Sequence, residues 1–237
     1  LLQLERQQEA SELLPRLAPV VRRLKDPLPW GDLLMSQAGL HALLPDGHEL
    51  ALGLVDQAVR RYQIGQRQDR VAAAQRMAAG LEVQLGRPQQ AIARVDQALI
   101  EGTGGDRALH GELLLLRGEL LAVAGAVDDA ETELIRGHAV LRSVGRRNPR
   151  AEMVLGVVES LLGRTSEGAA RVARLSDTSP RGSLEGLVAL AAALTEARTR
   201  RWAGVQERLA QAEGVGVTDG PVARWMLRRF KSEAEIA

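Results

Sequence analysis

Chemistry in this chain would have to be built from four histidines, thirty carboxylates and thirty-one basic side chains, because there is no cysteine. A zinc-binding helix needs two histidines one turn apart on one face. His48-Glu49 opens such a pattern, but Leu52 stands where the second histidine belongs, and His41, His110 and His138 are scattered. Gly102-Thr103-Gly104-Gly105 is glycine-rich, yet it lacks the lysine and the preceding strand of a phosphate-binding loop and reads as a flexible connector. No GxSxG nucleophile elbow occurs. Asp128, Asp129, Glu131 and Glu133 fall at the start of a predicted helix, where negative charge complements the macrodipole, so they read as helix stabilisers rather than an acid/base pair. The expectation is a protein that is not an enzyme and holds no metal or cofactor.

The basic residues cluster at Arg146, Arg147 and Arg150, at Arg198, Arg200 and Arg201, and at Arg228, Arg229 and Lys231. A formal net charge of +1 supplies no long-range field for nucleic acid or an anionic membrane. Aromatic side chains for base stacking are three Trp, one Tyr and one Phe, too few for a stacking platform. No apolar run is long enough to span a bilayer and no signal-peptide pattern opens the chain, so the expected setting is cytoplasmic. The first residue is Leu1, as in a fragment or a processed form.

The elements that would position these groups recur. Gly39, Ala51, Ala58; Ala79, Ala91, Ala98; Gly118, Ala130, Gly137; Gly156, Gly168, Leu175; and Ala193, Val205, Ala212 share internal steps of twelve and seven, and successive sets begin 40, 39, 38 and 37 residues apart. A period near 40 indicates an array of helical hairpins. Turns within hairpins are predicted at Pro45-Asp46-Gly47, Gly86-Arg87-Pro88, Gly125, Gly163 to Ser166 and around Arg200, and turns between hairpins at 102–106, 145–149 and 176–183. Small residues let antiparallel helices approach closely. One helical turn beyond the first small position of each second helix stand Val55, Val95, Leu134, Val172 and Leu209, a stripe expected to form the core. Val55-Asp56-Gln57-Ala58 recurs unchanged as Val95-Asp96-Gln97-Ala98, as duplication would leave it.

Ahead of the array, residues 4–24 show helical apolar spacing interrupted by Pro15 and Pro19, which predicts a kink or two short helices. Asp26-Pro27-Leu28-Pro29 predicts a break. The chain thus divides into an N-terminal helical segment with its proline-rich breaker, 1–30, a repeat array, 31–217, and a C-terminal capping helix, 218–237, with Thr218-Asp219-Gly220-Pro221 as its cap and Val222, Met226, Leu227 and Phe230 on one face. Trp202 is expected in the core, and an exposed Trp225 would mark a contact site.

The spacing resembles the tetratricopeptide repeat (TPR), most clearly at Leu114, Gly118, Leu121, Gly125, Ala130, Leu134 and Gly137. The stretch from His110 through Asp128-Asp129 is similar to the longer repeats of large LuxR-type bacterial transcription regulators and related signalling ATPases. The large residue usual in the middle of the first helix is replaced by Ala42, Glu82, Glu159 and Glu196. The resemblance implies an all-α, right-handed α-solenoid of about five TPR-like hairpins with flanking helices, acting as a sensor or partner-docking arm. In such arrays first helices line a concave surface. That places Arg76, Gln84, Glu112, Glu119, Arg150, Ser160 and Arg198 inward, with Ser36, Leu40 and Leu43 from the first repeat. The expected partner is a protein or peptide, an acidic one foremost, held by Arg76, Arg150 and Arg198 through charge-assisted hydrogen bonds. The alternative is a small-ligand sensor domain of a transcriptional regulator or signalling ATPase.

Overall fold

The computed structural model describes residues 2–44, 46–177, 183–199, 204–214 and 221–236. Trp202, Arg200, Arg201 and the Thr218-Asp219-Gly220 cap lie outside the described residues. The described residues form twelve α-helices and no strand: α1 (Leu2–Arg23), α2 (Pro27–His41), α3 (His48–Ile64), α4 (Gln68–Gln84), α5 (Pro88–Glu101), α6 (Arg107–Ala124), α7 (Val127–Ser143), α8 (Pro149–Leu161), α9 (Thr165–Asp177), α10 (Ser183–Arg198), α11 (Val205–Gly214) and α12 (Pro221–Ile236). The chain has two compact units, Leu1–Leu113 and Leu114–Ala237, which divide inside α6. Within each, hairpins pack neighbour on neighbour in the manner of an α-solenoid. In the first unit α2 packs on α3, α3 on α4 and α4 on α5; in the second α8 packs on α9, α9 on α10 and α10 on α11.

Turn chemistry sets the hairpins. Gly86, between α4 and α5, has φ +76°, a conformation that glycine adopts without steric penalty. The next amide, that of Arg87, closes the end of α4 by donating to the Glu82 carbonyl at 2.8 Å. Gly163 repeats this between α8 and α9, where Arg164 N donates to Glu159 O at 3.0 Å.

The predicted stripe is the core. Val55, Val95, Leu134 and Val172 are fully buried, and Leu209 packs beside Ala193, Ala197 and Val205. Burying each such side chain contributes about 1.5–3 kcal/mol. Helix α8 is buried without a break from Met153 to Ser160, because α7, α9 and α10 all pack against it. A helix enclosed in this way has no polar stripe, whereas α9, on the outside of its hairpin, buries only Gly168, Val172 and Leu175.

Several expectations need correction. Helix α1 runs as one helix through Pro15 and Pro19, not as two short ones. The predicted break separates α1 from α2 at 24–26, and the stretch from Asp26 to Pro29 is itself the start of α2: Asp26 Oδ1 accepts from Leu28 N at 2.9 Å, and Pro27 and Pro29 occupy the first turn, where missing amides cost nothing. The 102–106 connector is internally bonded. Thr103 is buried with its Oγ1 donating to Asp106 O at 2.9 Å, and Asp106 Oδ1 accepts from Leu109 N at 2.9 Å. Trp225 is buried, since α12 packs on α10 as a first helix would. Gly39 makes no close crossing: no atom lies within 4 Å of where its Cβ would be, and the neighbouring Ala38 is the buried residue.

Candidate functional site

First helices of successive hairpins are laced together by the arginines that sequence placed inward. In the first unit Arg76 on α4 approaches Glu112 on α6, Nε to Oε2 3.5 Å. In the second, Arg150 on α8 donates from Nε to Glu119 Oε2 on α6 at 3.0 Å, and Arg198 on α10 donates from Nε to the Ser160 carbonyl on α8 at 3.1 Å. Arg76 and Arg150 side chains stay 48% and 47% exposed, so each pair is open to exchange with a partner's acceptor. Glu119 is buried, and burial pushes its carboxyl above the usual range against the lowering influence of Arg150.

The other expected contact residues divide. Gln84 is exposed at the end of α4, and Glu112 is half-buried. Ser160 is fully buried with no hydrogen-bond partner for its hydroxyl, and it offers no surface to a partner. In α2, Ser36 is exposed and donates to the Asp32 carbonyl at 2.9 Å, Leu40 is half-buried and Leu43, just beyond the helix, is exposed.

A second set of charges escaped the sequence reading. Glu82, Glu159 and Glu196 stand in the last turn of α4, α8 and α10, and each meets an arginine twelve residues later on the second helix of its hairpin. Glu82 Oε1 lies 3.3 Å from Arg94 Nη2, Glu159 accepts from Arg171 at 2.9 and 2.7 Å, and Glu196 Oε1 lies 3.7 Å from Arg208 Nε. Arg94 also reaches back to the preceding hairpin, donating to Asp56 Oδ1 on α3 at 2.7 Å, and within its own hairpin donates to Gln75 Oε1 on α4 at 3.2 Å. In the third hairpin the roles are transposed: Glu133 on α7 is the buried carboxylate, 3.1 Å from Arg117 and 2.9 Å from Arg136. Further pairs, Arg87 with Glu49 and Arg164 with Glu131, join successive second helices. The recurring twelve-residue interval between Glu and Arg was the signal that could have found these clips.

A cleft of about 350 Å³ in the second unit brings Arg198 together with Arg229, members of two different basic clusters in the sequence; Asp128, Leu161, Leu162 and Ser232 also line it. Among the described residues no group of three His, Asp or Glu could hold a metal ion, and no helix is long and apolar enough to cross a membrane. What these surfaces can do is present fixed guanidinium and carboxylate groups to another molecule.

No protein-family model matches the chain, and no curated protein does. Among solved structures it is similar to YrrB, described as a TPR protein with an unusual peptide-binding site, with a TM-score of 0.54, 17% sequence identity, and 91% of this chain and 97% of that chain covered. At that identity the likeness speaks for the fold, a TPR-like array of helical hairpins.

Proposed function

We propose that this chain is a non-catalytic protein- or peptide-binding module, working as an assembly adaptor or as the docking and sensor arm of a larger bacterial regulator in the cytoplasm. The observation that carries the reading is the series Arg76, Arg150 and Arg198, set on the first helices of three different hairpins, α4 in the first unit and α8 and α10 in the second, and each joined to the hairpin beside it. Within the second unit, a ligand that supplies carboxylates to Arg150 and Arg198 would bridge hairpins, and binding would be coupled to their stacking. The peptide-binding site ascribed to YrrB supports the same reading. Capture of partners from a bacterial cytoplasm by the parent and by the triple Arg76→Ala, Arg150→Ala, Arg198→Ala protein tests it. The expected result is loss of a partner that binds the purified parent saturably; full retention of every partner by the triple variant would remove these residues from the site.

The second reading, a small-ligand sensor, is favoured by the roughly 350 Å³ cleft with its two guanidinium groups. It predicts that a small carboxylate raises the melting temperature of the parent and not of Arg229→Ala.

A further inference from the structure

Almost every arginine on α4 and α5, and in the turns that flank them, is used within the protein. Arg67, Arg70, Arg76, Arg87 and Arg94 each have a carboxylate within 4 Å. Three cations at the N-terminal end of the same unit are different. Arg22 at the end of α1, Lys25 in the following turn and Arg61 in the last turn of α3 line one cleft of about 440 Å³, and none of them makes an ion pair among the described residues. The one carboxylate lining the cleft, Asp26, is already engaged as the cap of α2. Three cations against one carboxylate leave the cleft at +2, more than the +1 of the whole chain.

Apolar surface stands in the same place. Leu24 and Ile64 line the cleft while 51% and 67% exposed, and the half-buried Trp30 forms part of its wall, with the Arg22 guanidinium 4.9 Å from the ring centroid. Leu13, Leu17 and Val20 extend the exposed apolar surface along α1 at spacings of four and three residues, one helical face. Trp30 holds the Arg22 guanidinium over its ring, so that charge is fixed in place before any ligand arrives.

We infer that the cleft between α1 and α3 docks an acidic amphipathic segment of a partner protein, whose carboxylates meet Arg22, Lys25 and Arg61 while its apolar side chains cover Leu24 and Ile64. The choice of occupant follows from charge complementarity. Unpaired cations are what an acidic chain needs, and large exposed apolar side chains gain from a peptide what they would not gain from inorganic phosphate. The inference rests on the reading of this chain as a peptide-binding module and assigns that activity a surface apart from the arginine series on the first helices.

The test is fluorescence anisotropy of the 237-residue chain with three labelled synthetic peptides of about a dozen residues, one of Glu and Leu at helical spacing, one of Lys and Leu, and one of Glu and Ser. Binding is expected for Glu/Leu, weakened by salt, with the other two about tenfold weaker or more. Arg22→Glu, Lys25→Glu, Arg61→Glu, its helicity checked by circular dichroism, is expected to lose Glu/Leu binding by about tenfold or more, and Ile64→Ser to weaken it less. Undiminished affinity of the triple variant overturns the cleft assignment and leaves the peptide-binding reading standing. Equal binding of all three peptides, or complete competition by inorganic phosphate or by anionic phospholipid vesicles, overturns the choice of occupant. No binding of any peptide to the parent overturns the inference, while the capture experiment judges the wider reading independently.

Discussion

Hairpins α4/α5 and α8/α9 carry the same Glu–Arg clip over differently built crossings. In α4/α5 the crossing residues Ala79, Ala91 and Ala98 are fully buried, so methyl groups fill the gap between the helices. In α8/α9 there is no room for them. A Cβ on Gly168 would run into the carbonyl oxygen of Gly156 and come within 2.9 Å of Ser160 N, and a Cβ on Gly156 would lie 3.0 Å from Gly168 O. The backbones themselves are in contact. Yet Glu82 finds Arg94 and Glu159 finds Arg171 in both, because a long arginine side chain absorbs a difference in helix separation. The difference teaches that separation is set by the small residues and that the clip follows it.

Substitutions can break or sharpen this contrast. The largest effect is expected outside the pair, at Gly118, where a Cβ would sit 2.7 Å from Leu134 Cγ and 3.1 Å from Ala130 O. Gly118→Leu should lose about 3 kcal/mol or more in urea denaturation, and parent-like stability would show that α6 and α7 are not in close contact. Next, Gly168→Ala should destabilise by about 2–3 kcal/mol by overpacking, against about 1 kcal/mol for Ala91→Gly in the methyl-spaced hairpin. Equal losses would erase the distinction between the crossings. Glu159→Ala takes from the partly buried Arg171 its hydrogen-bonded carboxylate, leaving Glu152 at 3.8 Å, and should cost about 1–2 kcal/mol.

Gly39→Ala marks the opposite case. With open space at its Cβ, the substitution should stabilise by about 0.5–1 kcal/mol through helix propensity, and a loss would restore Gly39 to a close crossing.

The smallest expected effect is a slope. Burial lowers the pKa of His138 below the ordinary histidine value, outweighing a backbone hydrogen bond with Ala151. The unfolded chain therefore binds this proton first. The stability contributed by neutral His138 is present above about pH 6.5 and is lost as pH falls through the depressed folded value. Melting temperature between pH 7.5 and pH 5 should fall more steeply for the parent than for His138→Gln, and parallel slopes would contradict the assignment.

The hairpin turns and the core stripe were legible because each depends on one local requirement: a positive φ at Gly86 and Gly163, and one helical turn between Ala51 and Val55 or Ala91 and Val95. Gly39 misled because residues 42–47 join α2 to α3, whereas 85–87 join α4 to α5, so a constant step of twelve does not carry register across the longer connection. Glu82, Glu159 and Glu196 looked like departures from a pattern when read one helix at a time; their meaning lies in partners on the next helix. The Arg22, Lys25 and Arg61 cleft was invisible for a related reason. Helix α1 lies outside the repeat frame, and no spacing rule places its end against the last turn of α3.

The central claim is that this array docks a polypeptide. Its most direct test is titration calorimetry of the 237-residue chain against peptides selected on it from a random library, with the selected peptides analysed afterwards by mass spectrometry. The account predicts saturable binding with a fixed stoichiometry, a preference for acidic sequences that weakens with salt, and recovery of every peptide intact. Selection that yields no saturable binder, or peptides recovered cleaved or modified, would contradict it.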